Sequence, residues 1–245
     1  GAAWIDLNVG CPVKKFIKNR AGSSLLRDLP HAGRIVRAMR RNFSGTLSVK
    51  MRTGWDAESI VAPKFARIAV DEGAELISVH GRTRAQQYTG RADRSTIRRV
   101  VEAVPDVPVL ANGDIVTPSD VFEMIAETGA AGVMIGRGAM GNPWIFEQTL
   151  SIARGGRARG PTRAERLATI EKHIGWMQRG ITEPRTLSTN LKKYVFAYSR
   201  GLSGSAKFRQ QTLESNDVEE ILELTRSYFA VVKRAPALRD EERAA

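Results

Sequence analysis

The sequence predicts an α/β fold: a (β/α)8 TIM barrel, its N-terminal strands missing from this chain, followed by a C-terminal all-helical domain. Three observations carry that prediction. Short apolar runs rich in β-formers alternate with helical patterns, each run ends in polar residues able to do chemistry, and beyond residue 150 only helical periodicity remains.

The runs are Trp4-Ile5-Asp6-Leu7, Leu47-Ser48-Val49, Leu76-Ile77-Ser78-Val79, Val107-Pro108-Val109-Leu110 and Gly132-Val133-Met134-Ile135. Each is short and near-continuous, as expected for a parallel strand buried on both faces. Between them lie the helical patterns Ile35 to Met39 and Phe65 to Val70, the second stopped at Glu72-Gly73. Thr117-Pro118-Ser119-Asp120 reads as a helix start, with capping side chains around a proline suited to the first turn.

Polar clusters follow the runs: Asn8 and Cys11, Lys50 and Arg52, His80 and Arg82, Asn112 and Asp114, then Arg137. Their spacing of about 25 to 40 residues brackets the ~31 expected if eight βα units share ~250 residues. Chemistry at successive strand C-termini favours a barrel over an open sheet. Only five units are visible, and Gly1 lies almost inside the first run, so three further units are expected upstream. The domain reading is five βα units over 1–150, a Gly/Arg/Pro linker over 151–163 (Arg154 to Pro161) and a helical domain over 164–245. Within the last, Ala164 to Gln178 and Asp217 to Val232 have helical periodicity, with Asn216-Asp217 as a cap.

Composition narrows the function classes. No apolar run is long enough for a membrane span, no leader pattern is visible, and a single cysteine in 245 residues excludes an internal disulfide framework. A cytoplasmic protein is expected. The net charge of +12 favours a polyanionic partner, against the alternative of a generally Arg-rich composition. Residues 151–245 hold 18 Lys/Arg against 11 Asp/Glu and residues 1–150 hold 20 against 15, so the shorter segment has the denser positive charge.

Among candidate site residues, Gly136, Gly138 and Gly141 follow the last run, where close backbone approach and free amides can hold a phosphate. Asn112-Gly113-Asp114, one strand earlier, would form the other half of that site, in the place where barrels commonly bind phosphate. Lys50 is either a snorkelling lysine or, at a strand end, a cation against the electron-rich part of a flavin. His80 is either structural or a ligand contact. Cys11 has three readings: a small buried hydrophobe, a metal ligand, or a general acid or nucleophile beside the basic Lys14, Lys15 and Lys18. With no second cysteine and no histidine nearby in sequence, no metal site is expected.

The motifs "DLNVGCP", "VKMRTGWD", "ISVHGRTRAQQYTGRAD", "VLANGDI" and "GVMIGRGAMGNPWIF", in that order from Asp6 to Phe146, closely resemble the tRNA-dihydrouridine synthases. The resemblance implies an FMN-binding barrel with a helical tRNA-binding domain, which reduces the C5–C6 double bond of particular uridines with NADPH as electron donor. By it, Cys11 is the proton donor. Lys50, His80, Asn112, Gly113, Asp114, Gly136 and Arg137 bind FMN, and Asn8 and Arg82 meet uracil or flavin. In the tail, Lys192, Lys193 and Arg209, interleaved with Tyr194 and Tyr198, suit an RNA backbone; the alternative is a solvated helix face. Arg94 and Tyr194 stand where the family often has tryptophan and histidine. Two other readings stay open: an FMN barrel oxidoreductase acting on a small pyrimidine-like substrate, and an inactive tRNA-binding remnant.

Overall fold

The computed structural model describes residues 1–231 and contains two compact units, which divide after Arg137. The first unit holds strands β1 (Trp4–Val9), β2 (Thr46–Arg52), β3 (Leu76–His80), β4 (Val109–Asn112) and β5 (Gly132–Met134). Its helices are α1 (Lys14–Lys18), α2 (Leu29–Asn42), α3 (Ala62–Asp71), α4 (Arg94–Ala103) and α5 (Pro118–Thr128). All five strands are parallel, in the order β1-β2-β3-β4-β5. A doubly wound open sheet reverses its strand order part-way, whereas this order runs straight on, as in the wall of a barrel.

Register sorts the side chains onto two faces, because successive residues of a strand point to opposite sides. Asn8 pairs with Lys50, Lys50 with Ser78, Arg52 with His80, His80 with Asn112, and Asn112 with Met134. One face therefore carries Asp6, Asn8, Ser48, Lys50, Arg52, Ser78, His80 and Asn112. The other carries Leu47, Val49, Met51, Ile77, Val79 and Ala111, all fully buried, as are Val36, Phe65, Ile97 and Met124 of the helices that cover it. The sequence reading expected near-continuous burial, which β2 and β3 largely show. β1 instead alternates, with Trp4, Asp6 and Asn8 exposed. Trp4 Nε1 donates to Ser48 Oγ (2.8 Å), whose hydroxyl donates to Asp6 Oδ1 (2.5 Å), so polar groups on this face are joined across two strands.

Local signals act where expected. Thr117 and Asp120 form a reciprocal capping box with Pro118 in the first turn, and α5 ends at Gly129 in the left-handed conformation. The second unit contains α6 (Ile145–Ala153), α7 (Arg163–Gly180), α8 (Pro184–Tyr198), α9 (Ser205–Glu214) and α10 (Val218–Val231). Its core joins Ile170, Ile174, Leu191, Val195, Phe208, Ile221 and Phe229. Asp217 caps α10 through Glu220 N at 2.9 Å; Val232, the expected end of that helix, lies outside the described residues. The unit boundary falls earlier than the 150 read from the sequence. Residues 138–150 belong with the helices: Gly141 (φ +75) lies so close to the Ala197 backbone that a Cβ there would sit 2.2 Å from it, and Trp144 meets Tyr198 edge-on. No helix of the described residues is long and apolar enough to cross a membrane.

Candidate functional site

Cys11 follows β1 in a segment pinned from several directions. Gly10 N donates to Asn8 Oδ1 (2.9 Å), and Gly10 O accepts from Arg52 Nε (3.1 Å). Cys11 O accepts from both the amide (3.0 Å) and the hydroxyl (2.9 Å) of Ser23. Gly22 makes that approach possible, since at φ +61 an added Cβ would lie 2.8 Å from Cys11 O. Cys11 is half-buried rather than a core residue. Among the described residues no group of three or more His, Cys, Asp and Glu side chains is arranged to hold a metal.

Lys50, His80 and Asn112 come from three adjacent strands on the polar face. Lys50 Nζ reaches across β3 to donate to Asn112 Oδ1 (3.4 Å), while Asn112 Nδ2 donates to Met134 O (2.6 Å). Burial, then the neighbouring Arg52, lowers the Lys50 pKa. His80 is pushed down to about 3 by burial and by Arg52, Lys50 and Arg82, so at neutral pH it is an uncharged imidazole. Arg52 itself is lowered, chiefly by burial. Against these cations and Arg82 and Arg137, the site's nearest carboxylates are Asp6 and Asp114. Positive charge is in excess.

Arg82 uses Nε and both Nη groups within the protein. Nη1 and Nη2 pair with the two oxygens of Asp114 (2.7 and 2.8 Å), Nε donates to Thr89 O (3.0 Å), Nη2 also to Gly90 O, and Nη1 faces His80 Nε2 (3.5 Å). Arg52 Nη1 holds Thr83 O (2.8 Å) and Gln87 O (2.7 Å). Two buried arginines thus set the path of the β3–α4 loop. Tyr88, 53% exposed, is presented between the clamped carbonyls, 4.3 Å from Arg137 and 5.5 Å from Arg52. Neither the clamping by Arg52 nor the position of Tyr88 was read from sequence; the signal was an arginine in the last position of a buried strand.

The phosphate-type turns lie at the ends of β4 and β5. Gly113 (φ +126) could carry no side chain, since a Cβ would meet Ala92 Cβ at 2.7 Å and His80 at 3.1 Å. Asp114 (φ 52) accepts Ala92 N (2.7 Å). Gly136 has open space around it, and Arg137, with a 55% exposed side chain, points to Asp114 at 3.7 Å. In the helical unit Lys192 Nζ donates to Leu213 O (3.3 Å) and Asn216 Oδ1 (3.0 Å), and Arg209 Nε to Ser199 Oγ (3.0 Å). Lys193 lies over Tyr194 at 5.2 Å, while Tyr198 is a core residue, its hydroxyl 3.3 Å from His173 Nδ1.

A singly wound parallel wall with a cysteine, a lysine, a histidine and an asparagine at or just past its strand C-termini defines a barrel-type α/β unit. The family model described as dihydrouridine synthase (Dus) matches residues 1–234, and the chain belongs to that family. It is 41% identical over 214 residues to a probable tRNA-dihydrouridine synthase of Rickettsia prowazekii, covering 85% of this chain and 64% of that protein. It is also 38% identical over 230 residues to tRNA-dihydrouridine synthase B of Xanthomonas campestris, covering 94% and 69%. A probable tRNA-dihydrouridine synthase of Rhizobium leguminosarum is 48% identical over 144 residues, 59% of this chain and 45% of that one.

Proposed function

We propose that this chain carries the catalytic wall of an FMN-dependent enzyme that reduces the C5–C6 double bond of uridines in tRNA, with NADPH as the electron donor. The observation that carries the reading is the half-buried Cys11 above a register-aligned set of Asn8, Lys50, His80 and Asn112, under an excess of positive charge.

The residues suit FMN. Its phosphate would meet the Asn112-Gly113-Asp114 turn and Gly136-Arg137, where a Cβ at Gly113 would block the turn and Gly136 leaves the backbone open. Lys50 would face the electron-rich pyrimidine edge of the ring, where a cation stabilises developing negative charge. Neutral His80 can offer one N–H and one acceptor. Bound there, FMN supplies the hydride that adds to C6 of the uracil.

The protein's own part is the proton and the charge. Addition at C6 would leave an enolate-like oxygen, which Asn8 and the nearby cations would stabilise, while Cys11 Sγ would give its proton to C5. Arg82, bonded through Nε and both Nη groups, would act by holding the β3–α4 loop beside the site. A stacked uridine cannot reach such a site, so the base is extruded from the folded RNA. Lys192, Lys193 and Arg209 in the helical unit supply cations for the backbone.

The test is Cys11→Ala in the natural gene product, with tRNA lacking dihydrouridine. Dihydrouridine formation falls by about 10²-fold or more while the yellow flavin stays bound. Full activity in that variant removes Cys11 as the acid.

A further inference from the structure

Between Asp6 and Asp28 the chain has five cations, Lys14, Lys15, Lys18, Arg20 and Arg27, and no carboxylate. The three lysines sit on α1, which buries none of its residues and leaves Phe16 47% exposed. This lobe directly follows Cys11 and is tied back to it through the Ser23 bonds to the Cys11 carbonyl.

A second feature lies on the adjoining loops. Past the strand ends, the loops after β2 and β3 are zipped together by Thr53 N to Arg82 O (3.2 Å), Arg84 N to Gly54 O (2.9 Å) and Ala85 N to Trp55 O (2.9 Å). That zipper presents Trp55, over whose ring lie the guanidinium groups of Arg27 (5.0 Å) and Arg84 (4.5 Å). Neither arginine is in an ion pair among the described residues, and Arg84 Nε is a buried donor with no partner. Two guanidinium groups on one indole with no carboxylate partner are what a phosphate would complete, through the Nη groups rather than the buried Arg84 Nε. Stacking on the indole holds the arginine planes in place without using their N–H groups.

We propose that α1 and the Arg27–Trp55–Arg84 cluster form a rim that grips RNA backbone phosphates beside Cys11. The first unit then contributes its own share of RNA affinity, apart from the helical unit. This rests on the tRNA reading above and adds where the backbone is held next to the extruded base.

The experiment measures tRNA binding to the natural gene product against salt concentration. Two double variants are compared, Arg27→Gln/Arg84→Gln and Lys14→Gln/Lys18→Gln, with Arg41→Gln/Lys64→Gln on exposed positions of α2 and α3 as a control of equal charge change. Each lost phosphate contact lowers the slope of log K against log salt by about 0.7–0.9, so each rim pair lowers it by about 1.5 while the control leaves it near wild type. The lysine pair lies on a helix without buried residues, so it reports even if the arginine pair fails to fold. Wild-type protein that fails to bind tRNA in a salt-dependent way overturns the tRNA reading itself. Salt-dependent wild-type binding with unchanged slopes in both folded rim variants, or an equal fall in the control, overturns the rim alone.

Discussion

Arg82 and Asp114 are joined by two parallel hydrogen bonds, Nη1 to Oδ1 at 2.7 Å and Nη2 to Oδ2 at 2.8 Å, linking the end of β3 to the end of β4. The guanidinium side is 3% exposed and the carboxylate 34%. Removing the carboxylate leaves a buried cation whose remaining partners are carbonyls and a neutral imidazole. Asp114→Ala therefore destabilises the protein by about 2–3 kcal/mol, below the usual range for a fully buried pair because Asp114 is partly in water. Chemical unfolding checks the figure, and hydrogen exchange at residues 87–90 rises along with it.

Gly22→Ala forces a Cβ to within 2.8 Å of the Cys11 carbonyl in a left-handed backbone. The strain amounts to about 1–3 kcal/mol, and Cys11 must shift to relieve it. The expected outcome is a lower melting temperature with a changed rate of Cys11 alkylation by iodoacetamide. An unchanged alkylation rate means that the Ser23 clamp does not position the thiol.

His80 makes stability depend on pH in a set direction. In the unfolded chain its imidazole takes a proton near pH 6.5, whereas in the folded protein it does so only at about 3. Between those values the unfolded state holds the extra proton, so stability is full above pH 6.5 and declines as pH falls toward 3. The slope from this residue is at most about 1.4 kcal/mol per pH unit. Urea midpoints at pH 7 and pH 5 converge in His80→Gln relative to wild type.

Lys50→Met separates binding from stability. Lys50 is a cation held in a half-buried place next to Arg52, and both burial and that neighbour disfavour its charge. Replacing it with an apolar chain of similar length raises the stability of flavin-free protein by about 1 kcal/mol. The same change weakens FMN binding, measured by flavin absorbance in titration. A gain in flavin affinity contradicts the cofactor-facing role proposed for Lys50.

The strands and the polar residues at their ends were legible because buried strands are written as local apolar runs and their polar ends follow in the next few residues. Lys50, His80 and Asn112 align that way in the sequence itself. The task of Arg82 was not legible. An arginine at a strand end reads as a ligand contact, and only the path of the loop, with Thr89 and Gly90 folded back and Asp114 across from it, shows its guanidinium bonded within the protein. Arg52 was hidden for the same reason, since its acceptors Gly10, Thr83 and Gln87 lie 31 to 42 residues away in sequence. The alternation in β1 was masked by Ile5 and Leu7, which make a polar strand look continuous. The unit boundary escaped because Gly141 and Trp144 read as the tail of a strand loop, while their partners are on α8.

The neighbour-by-neighbour strand order also has a temporal meaning. Each strand pairs with one that follows it by at most 42 residues, as Trp4 does with Thr46. At about 5–20 residues per second, a ribosome delivers the next strand within roughly 2–8 seconds. The five described strands are therefore delivered in the order in which they pair, β1 ahead of β2 and Arg137 after β5. Among the described strands, none waits for a partner more than 42 residues further on.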